Sequence, residues 1–303
     1  MRVLVTGGTG FIGRHVMRRL VAANCSILGL RRNSSVFDDT VESGSIAWWN
    51  YEERSLKKLF EQHRGRIDAV VHMATDYGRD VADEFRLFQA NVAFPMELLK
   101  WAVSSGVRRF VNTDSFFNTP GTQYSHLSTY TLSKRHFMEW GRQVAAAGRI
   151  HFINMRLFHV YGPGDAEDKF VSSLARACLV GGEVPMTDGT QRRDFVNVQD
   201  VAEACLQVLQ VDPISEDRGF SMLEIGTGHA TSIREFAETL NRVCGNRATL
   251  RFGALPQRPG EMTECTADIR EIFAVGWRPL RTLEQGLREV CEDIRQRMGE
   301  INK

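Results

Sequence analysis

Tyr130 and Lys134, four residues apart, are the pair in this chain best suited to acid–base chemistry. The segment Tyr130-Thr-Leu-Ser-Lys134 runs on through Phe137, Met138 and Trp140 with the periodicity of a helix. Residues four apart share a helix face, so the ammonium can lie near the phenol. A nearby positive charge favours phenolate and lowers the phenol's pKa, making tyrosine a proton donor or acceptor near neutral pH. Upstream, Thr113-Asp114-Ser115 brings two hydroxyls and a carboxylate to the C-terminal end of an apolar strand, where ligands gather in open α/β sheets. Tyr130 and Lys134 could instead be a plain surface pair. The N-terminal stretch argues against that.

Val3-Leu-Val-Thr-Gly-Gly-Thr-Gly-Phe-Ile-Gly13 opens with an apolar run short enough for a buried strand. Gly7, Gly10 and Gly13 follow, and then Val16, Met17, Leu20 and Val21 recur at helical spacing. Strand, glycine turn and helix in that order make a dinucleotide site. The first glycine permits a tight turn, the second lets backbone reach a pyrophosphate, and the third lets helix and strand pack closely. Phe11 and Ile12 open the helix, whose N-terminus faces the phosphate charge. After a second strand, Ser26 to Leu30, the usual ribose-binding acid is replaced by Arg31-Arg32-Asn33-Ser34. Two forked guanidinium groups and a hydroxyl suit a 2′-phosphate, and Asp38 and Asp39 come late. NADP is therefore expected over NAD, with a basic surface turn as the alternative.

The bulk properties are compatible with this. At 303 residues, length alone suggests about two domains. Hydrophobic content of 43% and charge of 25% are ordinary for a soluble globular protein. A net charge of +1, without basic runs, gives no reason to expect nucleic acid or an anionic membrane as partner. No apolar stretch reaches bilayer-spanning length, and the first strand begins where a signal peptide would lie, so a cytoplasmic protein is expected. Six scattered cysteines, with no metal-ligand spacing, read as reduced and mostly buried thiols, and no metal is expected.

Thr6 to Gly13 resembles the T-G-G-x-G-F-I-G opening of the extended short-chain dehydrogenase/reductases, the nucleotide-sugar epimerases, dehydratases and reductases. Asp68-Ala-Val-Val-His-Met-Ala-Thr75 is similar to that family's H-x-A-A turn, with Ala74 beside the cofactor and Thr75 in place of the second alanine. Asn154 to Pro163 resembles R-x-x-N-V-Y-G-P, with His159 in place of asparagine. Gln191 to Val201 resembles Q-x-R-D-F-x-x-V-x-D-V, Glu224 to Gly228 resembles N-x-G-x-G, and Arg258-Pro-Gly-Glu261 matches R-P-G-[DE]. Gly276-Trp-Arg-Pro279 resembles the closing G-W-x-P, so the likeness runs from residue 2 to about 294.

The resemblance implies an α/β fold: a Rossmann-type doubly wound parallel sheet over 1–165, with 195–228 partly returning to it. A smaller C-terminal lobe, 166–303, would bind the nucleotide sugar. It implies that Thr113 is the hydroxyl binding the reacting oxygen beside Tyr130, and that Lys134 also bonds the nicotinamide ribose. Asp114 falls where the sugar dehydratases keep an acid, and Ser115 where many keep the glutamate that removes a C5 proton. A serine without a base cannot do that work, which disfavours dehydration. Arg193 would approach the diphosphate or a ribose, Arg258 the substrate phosphate, and His159 either the substrate or the carboxamide. A structural histidine is the other reading of His159, while Asp194 and Asp200 read as structural.

Asn112 to Phe117 and Leu127 to Lys134 also look like the abequose- and paratose-forming 4-reductases of CDP-linked O-antigen dideoxysugars. The expected function is NADPH-dependent reduction of a nucleotide-diphosphate 4-keto-6-deoxy sugar at C4. An NAD-retaining 4-epimerase and a non-catalytic NADP-sensing regulator are the alternatives. The family's usual dimer, built on helices near 91–103 and 130–145, implies a homodimer, in which Phe137 and Trp140 could equally be core.

Overall fold

The computed structural model describes residues 1–33, 35, 45–52, 55–78, 83–120, 127–211, 219–258 and 260–301. In chain order its first elements are β1 (Arg2–Thr6), α1 (Phe11–Ala22), β2 (Ser26–Arg31), β3 (Ile46–Asn50), α2 (Leu56–Gln62), β4 (Ala69–His72) and α3 (Glu84–Phe88). A π-turn, Gln89–Ala93, leads into α4 (Phe94–Ser104), then β5 (Arg109–Ser115), α5 (Ser128–Ala146), β6 (His151–Leu157) and β7 (His159–Tyr161). There follow α6 (Phe170–Val180), β8 (Gly182–Pro185), β9 (Arg192–Asn197), α7 (Val198–Gln210), β10 (Phe220–Ile225), β11 (Ala230–Ser232) and α8 (Ile233–Val243). The chain closes with β12 (Ala248–Arg251), β13 (Glu264–Cys265), α9 (Arg270–Ala274) and α10 (Leu283–Ile301).

Two compact units result. The first holds Met1–Leu157, Ala202–Glu224 and Arg270–Trp277; the second holds Phe158–Val201, Ile225–Ile269 and Arg278–Lys303. In the first unit a seven-stranded parallel sheet has the order β10-β6-β5-β4-β1-β2-β3. Val3, Leu4 and Val5 are fully buried, as expected of a strand covered on both faces. The order reverses at β1, with β2 on one side and β4 on the other, so a crevice opens beyond Thr6 and His72.

Helix α5 is fixed to this sheet by aromatic packing. Tyr130, Ser133, Lys134, Phe137, Gly141 and Ala145 form its buried stripe. The Phe137 ring meets Phe110 at 5.8 Å and Phe152 at 5.7 Å, while Phe110 stacks on Phe152 at 5.4 Å. Gly141 lets the helix come close, since a Cβ there would lie 2.2 Å from the Phe152 ring. Burial of these three rings contributes several kcal/mol, of order 2–3 each.

The second unit contains β11-β9-β13, with β7 also paired to β9, and a separate β12–β8 pair. Asp194, fully buried, accepts hydrogen bonds from the backbone of Thr227, Gly228 and Ala267, which ties two segments together. Asp200 holds Arg281 at 3.0 Å. Both acids are framework. All six cysteines are buried. Among the described residues no helix is long and apolar enough to cross a membrane.

Candidate active site

The turn after β1 is a cradle of backbone. Gly7 has φ +71°, and a Cβ there would lie 2.5 Å from the Ala74 nitrogen, so the turns after β1 and β4 touch. A Cβ on Gly13 would lie 2.0 Å from the Gly7 carbonyl oxygen. No side chain caps Gly10, and α1 begins at Phe11 and Ile12 with its first N–H groups directed out of the turn. Such a terminus fits a diphosphate. Ala74 N–H donates to Thr6 Oγ1 at 3.3 Å, and that hydroxyl also meets His72 Nδ1 at 2.7 Å.

The basic corner after β2 is more mixed than its sequence. The Arg31 guanidinium lies 5.2 Å from the centre of the Trp48 ring, a cation–π contact, and Arg32 is exposed. Asn33 N–H donates to Glu52 Oε2 at 2.6 Å, an acid absent from the sequence-based reading because it lies 19 residues on. Ser34, and with it Asp38 and Asp39, lies outside the described residues.

Tyr130 and Lys134 sit together on the buried face of α5, 5% and 4% exposed. Their electrostatics correct the expectation drawn from spacing. Burial pushes the Tyr130 phenol well above its ordinary value, and Tyr77 and Asp114 push the same way. Hydrogen bonds from the Thr75 and Ser115 hydroxyls oppose this without reversing it. Desolvation of a phenolate is therefore the largest effect on this group. The same burial brings the Lys134 ammonium down to about 8, against the attraction of Asp114. His72 is held well down by burial and by Lys134, so its ring is neutral.

Thr113 does not meet the phenol through its own proton; its hydroxyl donates to the His72 carbonyl at 3.1 Å. The hydroxyls hydrogen-bonded to Tyr130 are Thr75 and Ser115, and Ser115 Oγ also accepts from Phe117 N–H at 3.3 Å. Asp114 is hydrogen-bonded within the framework. Its Oδ1 accepts from Ser115 N–H and from Asn118, both at 2.7 Å; its Oδ2 accepts from Asn154 at 3.0 Å and lies 4.0 Å from Arg156. Arg156 in turn pairs with Glu224 at 2.7 Å.

In the second unit, Arg193 has internal partners. One Nη donates to Glu261 at 3.2 Å and the other to the Arg192 carbonyl at 2.8 Å. The Arg258-Pro-Gly-Glu261 segment thus delivers a carboxylate to Arg193, while Arg258 itself is exposed and lends its carbonyl to Glu261 N–H. Burial, and then the Arg193 charge, bring the His159 imidazole down to about 3, leaving it neutral.

Comparison with known proteins agrees with the arrangement. Residues 3–220 match the sequence model described as the NAD dependent epimerase/dehydratase family. CDP-abequose synthase of Salmonella typhimurium is 32% identical over 296 residues, covering 96% of this chain and 98% of that protein. Among solved structures, MoeE5 in complex with UDP-glucuronic acid and NAD has a TM-score of 0.82 at 30% identity, covering 98% of this chain and 100% of that one. UDP-glucose 4-epimerase of Thermotoga maritima with UDP-glucose superposes with a TM-score of 0.85 at 24% identity, covering 98% of this chain and 100% of that one, a likeness of fold.

Proposed function

Because the chain belongs to the NAD dependent epimerase/dehydratase family, we propose that it reduces a nucleotide-diphosphate 4-keto-6-deoxy sugar at C4 with NADPH. The observation that carries this reading is the likeness to CDP-abequose synthase over 96% of the chain, with which the state of Tyr130 is consistent. A reduction requires an acid at the carbonyl oxygen, and burial keeps this phenol protonated. An oxidation, the first half of an epimerase cycle, requires phenolate first. Dehydration is disfavoured by Ser115, which stands where a carboxylate base is needed and is bonded to the phenol instead.

Gly7, Gly10, Phe11, Ile12 and Gly13 would hold the cofactor's diphosphate, Ala74 would stand beside it, and Tyr130 and Lys134 would hold its ribose. Arg31, Arg32 and Ser34 would hold a 2′-phosphate. A bound nicotinamide supplies the hydride. The chain's own part is to orient the carbonyl and to hand over a proton. Tyr130 Oη would donate to the oxygen at C4 as charge develops there, with Thr113 and Ser115 as the hydroxyls within the same strand end. Lys134, partly relieved of its charge by burial, would bond the ribose and keep a cation near the phenolate that remains. His159, neutral at working pH, would serve as a hydrogen-bonding contact for substrate, and Arg258 as the exposed cation for its phosphate.

The protein would act as a homodimer. Leu132 and Trp140, two turns apart on α5, are 48% and 54% exposed, whereas Phe137 is core. Light scattering on the wild type and on Trp140→Glu tests this: a monomeric wild type would refute it.

The activity is tested by NADPH oxidation against CDP- and dTDP-linked 4-keto-6-deoxyhexoses, with product configuration read by NMR. Stoichiometric NADPH loss with one C4 alcohol formed is the expected result. Turnover of a 4-hydroxy sugar without net NADPH loss would establish the epimerase instead. No turnover with any sugar, alongside tight NADPH binding, would favour the regulator.

A further inference from the structure

Two tryptophans stand side by side in β3, and they do different work. Trp49 is 4% exposed and packs in the core with Leu28, Leu30 and Leu59, whereas Trp48 is half-buried on the opposite face. Strands β2 and β3 pair in parallel, with Gly29 beside Trp48 and Arg31 beside Asn50. Gly29 and Arg31 are two residues apart and so share the face on which Trp48 lies. A Cβ on Gly29 would lie 2.5 Å from Trp48 Cζ3 and 2.6 Å from Cε3. The indole therefore rests on bare backbone, and a larger residue in this buried strand would displace it. Farther along the same face, the Arg31 guanidinium lies 5.2 Å from the centre of the indole.

The backbone of this corner is fixed as well. The Arg31 carbonyl accepts Tyr51 N–H at 3.3 Å, Asn50 Oδ1 accepts Glu52 N–H at 3.1 Å, and Glu52 Oε2 accepts Asn33 N–H at 2.6 Å. Arg31 is thus held at its main chain by β3 and at its side chain by the indole. A cation–π contact gives none of the guanidinium's N–H donors to an oxygen, so it leaves the fork to a phosphate. An arginine on a loose side chain loses rotamer freedom when it captures a phosphate. One already seated on a ring has given up part of that freedom beforehand.

We propose that Trp48 is a positioning residue that sets cofactor specificity: seated on Gly29, its indole holds the Arg31 guanidinium ready for the 2′-phosphate of NADPH. NADH has a hydroxyl at that place and offers the guanidinium no charge to meet, so Trp48 matters for one cofactor and not for the other. The inference rests on NADPH being the cofactor, and it names the residue that makes Arg31 effective.

The test titrates the nucleotide-free full chain with NADPH and with NADH by calorimetry, and records the melting temperature of each variant. Trp48→Leu keeps apolar bulk over Gly29 and removes the aromatic face; Trp48→Phe keeps a face. Trp48→Leu is expected to weaken NADPH binding about tenfold and NADH binding by less than about twofold, while Trp48→Phe keeps most of the preference. Arg31→Leu should lose the preference too, and adding Trp48→Leu to it should change NADPH affinity little further, because the two side chains act as a unit. A Trp48→Leu protein that prefers NADPH as strongly as wild type overturns the proposal. So does an equal loss of both cofactors, the mark of packing alone, and so do additive losses in the double variant. A wild type that binds NADH as tightly as NADPH overturns the NADPH reading itself, and the proposal with it; a wild type that prefers NADPH beside an unchanged Trp48→Leu overturns the proposal alone.

Discussion

Tyr77 stacks on Tyr130, with ring centroids 4.9 Å apart and planes inclined by 27°, so a second tyrosine covers one face of the Tyr130 ring. Tyr77 is itself 42% exposed, and it follows directly on the Asp76 backbone that Asn91 clamps. Stacking of this kind is worth about 0.5–1.5 kcal/mol and, more usefully here, restricts how the lower ring can tilt. Tyr77→Ala is therefore expected to cost about 1 kcal/mol of stability and to slow turnover about tenfold, while Tyr77→Phe keeps most of both. Steady-state kinetics with urea unfolding check this. Equal rates for Tyr77→Ala and wild type would show that the stack plays no part.

Lys134 offers a pH test whose sign is fixed by its burial. Its native value of about 8 lies below the ordinary 10.5, so below pH 8 the folded state must hold an ammonium in a place that disfavours it. The unfolded chain binds that proton up to about pH 10.5, so the penalty is complete below pH 8 and fades as pH rises from 8 to 10.5. Lys134→Met removes it. The variant is expected to gain roughly 2–3 kcal/mol at pH 7, to lose most of that gain by pH 10, and to be inactive throughout. Urea unfolding at the two pH values decides. A gain independent of pH would mean that packing, not charge, accounts for it.

Some of this was readable without coordinates and some was not. Gly7, Gly10 and Gly13, the strand that precedes them and the Tyr130–Lys134 spacing are local patterns, and the parallel sheet follows from them. What escaped was set by distance along the chain or by depth. Asn91 and Ser133 are 42 residues apart, Asn33 and Glu52 are 19 apart, and nothing in either segment marks the pairing. A 3.6-residue period describes one continuous helix through 91–103, yet the chain makes a five-residue π-turn before α4. Spacing put Tyr130 and Lys134 on one face of a helix, but the sign of the shift on the phenol depended on burial, which a sequence window does not measure. Arg193 and Asp114 have partners, Glu261 and Asn154, that lie far along the chain, and nothing near either residue in the sequence marks them.

Asp114 ties these groups together and can be removed by a near-isosteric change. Its carboxylate is buried beside Arg156 and is the charge that sustains the Lys134 ammonium. Asp114→Asn should cost about 3 kcal/mol, since it leaves buried hydrogen-bond donors facing an amide. It should also drop Lys134 further below 8, because the attraction that opposes its burial has gone. NMR titration of the lysine 13Cε signal reads the second effect independently of stability. An unchanged Lys134 midpoint would separate the two residues.

The two serine-like hydroxyls of β5 can be ranked in the same way. Thr113 has its hydrogen on the His72 carbonyl, while Ser115 is bonded to the phenol. Ser115→Ala should therefore lower kcat more than Thr113→Val does, by about tenfold. The reverse order would restore Thr113 as the hydroxyl on the reacting oxygen.

The cofactor cradle gives the sharpest contrast, because neighbouring glycines are there for different reasons. A methyl on Gly13 would meet the Gly7 carbonyl oxygen at 2.0 Å, and both groups are backbone, so the turn itself must move. Gly13→Ala should lose about 1–3 kcal/mol or more and bind no nucleotide. Gly10 has φ −80° and ψ 174°, ordinary for alanine, and its methyl would find only the Gly7 oxygen at 3.3 Å. Gly10→Ala should then fold within about 0.5 kcal/mol of wild type. Its methyl would nevertheless stand where backbone must approach a diphosphate, so NADPH affinity should fall at least about tenfold. Thermal melts paired with fluorescence titration separate the two effects. A Gly10→Ala protein that melts and binds like wild type would mean that the diphosphate does not lie against this turn.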